Sequence, residues 1–282
     1  MAGPGHSAVR ERTDPVSRAV RATLIAVSLI FLTVILLVPV ASVLGYAFSK
    51  GFDVYLRALR QHDTFAAIRL TLLTAAIVVP VNTIFGIAAA WAIARFTFPG
   101  RQLLITLIDL PFAVSPVISG LVFVLLFGAQ GLFGDWLAGH DIKIIFALPG
   151  MVLATMFVSV PFVARELIPV MEEQGASAEE AAIALGASGW QMFRRVTLPS
   201  ISWGLVHGVV LLTARAVGEF GAVSVVSGHI RGETTTAPLH VEILYNEYQF
   251  AGAFAVASIL ALFALVSLAA KRTIEWRIAH PR

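Results

Sequence analysis

No cysteine occurs in this 282-residue chain, and charged residues make up only 13% of it. The first absence excludes disulfides, thiol catalysis and cysteine metal sites, and leaves the compartment open. The second sets the class. The chain is 58% hydrophobic with a mean hydropathy of +0.85, against roughly 45–50% apolar and about 25% charged residues in soluble domains. A membrane protein is implied. Lysine is scarce too: Lys50, Lys143 and Lys271 follow Ser49, Ile142 and Ala270, so no Gly-Lys-Ser/Thr loop is present to wrap phosphates. ATP hydrolysis by that route is excluded, and any energy from ATP must come from another polypeptide. His229 and His240 read as outer-loop residues without metal-ligand spacing, His207 as a packed helix residue, and nothing calls for a cofactor.

What is present is apolar sequence in long runs. Six stretches, at about 22–47, 70–94, 103–127, 144–164, 201–226 and 250–270, approach or exceed the roughly 20 residues that cross a bilayer. They are continuous runs without strand alternation, so an all-α protein of six transmembrane helices is expected over a membrane barrel. The first run is longer than the roughly 7–15 residues of a signal-peptide core and is expected to remain as an anchor. Residues 1–20 read as a disordered cytoplasmic tail, 21–272 as one six-helix membrane domain with a cytoplasmic loop at 173–199, and 273–282 as a cytoplasmic tail. With the N-terminus inside, thirteen Lys and Arg residues flank spans on the cytoplasmic side and six on the outer side, which places both termini in the cytoplasm. The pI near 9.6 comes from these scattered flanks and not from one patch, so a nucleic-acid partner is not indicated.

The longest polar interruption in the second half is EEAAIALGASGWQMFRRVTLP, residues 179–199. Ser177 and Glu180 have capping-box spacing, which predicts a helix from about Ala178. Gly186 offers a left-handed stop. Ser188 and Gln191 repeat the capping spacing and predict a second short helix, with Trp190, Phe193 and Val196 along one side, ending where Pro199 turns the chain. Small Ala181, Ala182 and Gly186 leave a surface that a partner approaches closely. An amphipathic hairpin lying on headgroups is the other reading of the same pattern.

Charge within a span is costly and asks for a partner or a pathway. Arg215 and Glu219 in ARAVGEFG stand four apart, spaced to pair on one helical face, either as scaffold or as an oxyanion site. Asp109 in IDLPFAVSPVISG lies towards the cytoplasmic end of the third run, with Ser115, Pro111 and Pro116 following. Prolines free backbone carbonyls, which packing neighbours or a cavity must satisfy. A broken third span beside a charged fifth span is thus a candidate solute path formed by Asp109, Ser115, Pro116, Arg215 and Glu219.

Glu180-Ala181-Ala182, with Gly186, Leu198 and Pro199 at their spacing and Val196 where isoleucine is usual, resembles the EAA loop of ABC-importer permeases. In that family the loop is a coupling helix held in a cleft of the ATPase subunit. LIDLPFAVSPVISG, APLHVEILYNEY and the final run are similar to the W-type permease subunit of bacterial sulfate/thiosulfate importers. The resemblance, from about residue 20 to the end, implies a type I ABC importer (MetI-like) fold in the bacterial inner membrane. It also implies three kinds of partner: a T-type permease, two ATP-binding subunits and a periplasmic sulfate-binding protein. Molybdate permeases share the Arg-x-x-Gly-Glu-Phe-Gly segment, so a molybdate or tungstate importer is the alternative. A proton-coupled transporter would leave the EAA-like loop unexplained. An intramembrane serine protease rests only on Gly186-Ala187-Ser188-Gly189, in a loop and not in a span.

Overall fold

The computed structural model describes the backbone of residues 15–279 and the side chains of 18–273. The tail expected over 1–20 falls largely outside the described residues, as do the side chains of nearly all of 273–282. The chain forms two compact units, one ending at Gly45 and the other beginning at Tyr46. In the first lies α1 (Pro15–Leu32), which passes through a π turn (Thr33–Leu37) towards α2 (Val38–Phe48).

The second unit continues through α3 (Phe52–Arg60), α4 (His62–Arg95), α5 (Arg101–Ala113), α6 (Pro116–Phe127), α7 (Gly134–Gly139), α8 (Leu148–Ser159) and α9 (Pro161–Gln174). The loop helices α10 (Ser177–Ala184), α11 (Gly189–Met192), a π turn (Phe193–Thr197) and α12 (Leu198–Ser200) follow. The chain ends with α13 (Ser202–Val217), α14 (Gly221–Val226), α15 (Ala237–Asn246) and α16 (Phe250–Ala279). No strand occurs among the described residues, so the all-α reading holds. By length and composition, Arg18–Phe48, His62–Arg95, Leu148–Gln174 and Phe250–Thr273 are long and apolar enough to cross a membrane, and up to six spans result if each bent pair counts as one.

Packing centres on α9. Val163, Leu167 and Met171 are fully buried against Ala90 of α4 and Leu212 of α13. A Cβ on Gly86 would stand 2.6 Å from that of Val163, so α4 and α9 meet over a residue with no side chain, the usual device between helices that lipid does not drive together. Above this core, α8 begins with proline in its first turn and α9 with Pro161. Pro161 has no N–H to give, and the Val160 N–H turns to Phe157 O, which leaves the Met156 carbonyl free. Asn82 of α4 takes it: its Nδ2 donates to Met156 O at 2.9 Å and to Ser159 Oγ at 3.0 Å. The break in the fourth span is thus satisfied from a neighbouring helix, as a low-dielectric surround requires.

Candidate translocation and coupling sites

The third span is broken as expected. Pro116 cannot continue α5 and forces its predecessor out of the helical region; Ser115 has ψ 135°, and α5 and α6 meet at 108°. The fifth run differs from expectation. It is not one helix over 201–226: α13 ends at Val217, residues 218–220 are non-helical, and α14 restarts at Gly221. Gly218-Glu219-Phe220-Gly221 contains no proline, so the sequence carried no signal for this break beyond two glycines.

The two breaks lie against each other. A Cβ on Gly221 would stand 2.9 Å from Pro116 Cβ, and one on Gly120 would stand 2.7 Å from Ala222 O and 2.8 Å from Val225 Cβ. Half-helices α6 and α14 therefore pack with no side chain between them at these points. Glu219, 3% exposed, holds the restart: its Oε1 accepts the Ala222 N–H at 2.8 Å, at the positive end of α14. Its Oε2 is 2.5 Å from Arg215 Nη1 as an ion pair, without the alignment of a good hydrogen bond. The expected pair is therefore present, between the end of α13 and the gap beyond it. The Arg215 side chain keeps 29% of its exposure. A guanidinium has five donors in a planar fork, and Glu219 is the partner it has among the described residues. Ser115, Pro116, Arg215 and Glu219 thus border one pair of broken spans.

Asp109 stands apart from them. Arg165 of α9 grips it with two nitrogens, Nε lying 2.5 Å from Oδ1, and the pair lines a cleft of about 320 Å³ with Ile105, Ile168 and Glu172. His207 is half-buried and not fully packed: its Nε2 is 3.3 Å from Lys271 Nζ and 3.7 Å from Glu166. His240 is no loop residue. It lies buried in α15, Nε2 3.0 Å from Thr64 Oγ1, with Nδ1 unpartnered.

In the loop between α9 and α13, both short helices form. The capping box at Ser177 and Glu180 does not: α10 starts after Ala176, without a side-chain cap, and Glu180 is exposed. The box at Ser188 is complete, Ser188 Oγ accepting the Gln191 N–H and Gln191 Oε1 accepting that of Ser188. Gly186 has φ +88°. The Ala187 N–H reaches Ala182 O and the Gly186 N–H reaches Ile183 O, the paired bonds that close a helix through a left-handed residue. Ala181 is exposed and Ala182 half-buried; Pro199 is exposed and Leu198 half-buried. Pro199 sits within α12, and the 72° bend comes at Ile201. Leu185 at 90%, Trp190 at 69% and Ile183 at 54% exposure form an apolar tip.

The residue that ties this loop to the spans carries no local pattern that singles it out. Glu179 is 8% exposed. Arg95, the last residue of α4, donates from Nε to Glu179 Oε2 at 2.8 Å and from Nη1 to Met171 O at 2.6 Å. Thr197 Oγ1 donates to Glu179 Oε1 at 2.8 Å. Glu179 satisfied the helix-dipole rule as an ordinary first-turn acid, and Arg95 the flank rule, so their meeting across 84 residues left no local trace.

The family model described as "Binding-protein-dependent transport system inner membrane component" matches residues 82–280. The chain is 55% identical over 257 residues to the "Sulfate transport system permease protein CysW" of Escherichia coli (strain K12), covering 91% of this chain and 88% of that one. It is 51% identical to the protein of the same name from Synechocystis sp. (strain ATCC 27184 / PCC 6803 / Kazusa), covering 94% and 96%. Among solved structures, a bacterial ABC transporter involved in import of the acidic polysaccharide alginate superposes with a TM-score of 0.78 at 20% identity, covering 93% of this chain and 96% of that one, which shows the fold. With a family model over most of the core and this identity across nine-tenths of its length, the chain belongs to the binding-protein-dependent transport system inner membrane components, as a sulfate permease of the W type.

Proposed function

We propose that this chain is one of two membrane-spanning subunits of an ATP-driven importer carrying sulfate or thiosulfate from a periplasmic binding protein into the cytoplasm. It is a transport subunit and not an enzyme; a T-type permease completes the pore and two ATP-binding subunits supply the energy. The observation that carries the reading is the pair of broken spans meeting at Pro116 and Gly221 beside Arg215, in a chain 55% identical to a sulfate permease. Arg215 offers a fork of donors matched to a tetrahedral oxyanion, with Ser115, Pro116 and Glu219 shaping the gap. Glu180, Ala181, Ala182, Gly186, Leu198 and Pro199 form the contact with the ATPase, and both termini face the cytoplasm. A proton relay finds no support, since Asp109 and Glu219 are each held by an arginine. Expression in bacteria lacking their own W-type subunit tests this: growth on sulfate returns if the proposal holds. Excess molybdate that abolishes sulfate uptake in these cells would favour the molybdate alternative.

A further inference from the structure

The coupling helix α10 has eight residues, too few to hold a helix in isolation, and its outward side is open. Its position is set by what grips it from behind. Four segments meet at the Arg95–Glu179 pair: the end of α4 carries Arg95, the first turn of α10 carries Glu179, the last turn of α9 accepts from Arg95 at Met171 O, and the π turn donates to Glu179 from Thr197. Both carboxylate oxygens are engaged, and the Arg95 and Glu179 side chains are 8% and 10% exposed. A buried, fully partnered ionic cluster has little slack, because either charge alone would be left uncompensated. Arg101 reinforces the corner, Nε to Ile93 O at 2.9 Å and Nη2 to Glu172 Oε1 at 2.7 Å. The apolar tip of Ile183, Leu185 and Trp190 has no comparable hold. Phe193, stacked on Trp190 and 5.6 Å from Trp91 of α4, is a second bridge from the loop to that helix.

We propose that Arg95, Glu179 and Thr197 form a stiff joint through which displacement of α10 is passed to α4 and α9, making Arg95 and Glu179 positioning residues for transport. This rests on the reading of 173–199 as the ATPase contact, but the joint itself is testable without any ATPase. The chain has no cysteine, so Thr97→Cys and Ala184→Cys, both at exposed positions, take spin labels without background. In the full-length protein in nanodiscs, the label distance distribution is expected to be narrow and to broaden at least twofold in Glu179→Gln or Arg95→Gln, because a charge-assisted bond that fixes α10 is lost. In the complex with its partner permease and ATPase, the ratio of sulfate imported to ATP hydrolysed is expected to fall about tenfold. Where Arg95→Gln fails to insert, Thr197→Val removes one hydrogen bond and no charge, and is expected to lower the ratio about threefold. Unchanged widths and an unchanged ratio would overturn the joint. So would parallel loss of import and hydrolysis with loss of ATPase association, which would make the cluster part of the docking surface. If the unsubstituted complex fails to bind an ATPase, the importer reading falls, while the label widths still decide whether Glu179 fixes α10.

Discussion

Arg215 and Glu219 combine a scaffold role with a place on the proposed path. Glu219 caps α14 as well as neutralising Arg215, so its removal has to leave an acceptor behind, and glutamine does. Arg215→Leu alone strands a buried carboxylate, which costs about 3–5 kcal/mol, and membrane levels of that variant should fall. Arg215→Leu with Glu219→Gln strands no charge; membrane levels should recover while sulfate uptake stays lost, and full uptake in that double variant would make Arg215 scaffold. His240 gives a second residue-level outcome. Burial lowers its pKa from 6.5, and Asp63 opposes the shift only in part. A base whose folded pKa is lowered binds more protons unfolded than folded in that window. Stability is therefore full above the unfolded value and lost as pH falls below it. Thermal unfolding in detergent should drop between about pH 8 and about pH 5.5, and His240→Gln should flatten that fall.

At the scale of elements, α10 depends on its stop. Gly186 at φ +88° has open space around a Cβ, so Gly186→Glu meets backbone strain of about 1 kcal/mol and places a carboxylate on the proposed docking side. Membrane insertion should persist while co-purification of the ATPase is lost; retained co-purification with normal uptake would remove the loop from the contact. Helices of this kind were legible where chemistry is local. Pro116 announced the 108° break, Gly186 the stop, and Ser188 with Gln191 the second cap. The Ser177 box had the same spacing and did not form, because Glu179, one residue earlier, is drawn inward by Arg95 and the adjoining Glu180 is left facing outward. The break at 218–220 and the burial of His240 were not legible. One depends on α6 packing against α14 and the other on Thr64 lying 176 residues away, and neither contact leaves a pattern along the chain.

For the whole molecule, six apolar runs predicted six spans, and by length and composition four helices can cross a membrane, or up to six if each bent pair counts as one. The break at Pro116 lies against the one that precedes Gly221, and the ionic cluster at Arg95 ties the loop after α9 to α4 and α9. The sequence holds no Gly-Lys-Ser/Thr phosphate loop, so the proposed importer draws its ATP hydrolysis from a separate subunit. The most direct measurement is sulfate accumulation in proteoliposomes holding this chain, its partner permease and the ATPase, with a loaded binding protein outside and ATP inside. The account predicts uptake that requires ATP, survives collapse of the proton gradient and disappears when the ATPase is omitted. Uptake without the ATPase, driven by the proton gradient alone, would contradict it.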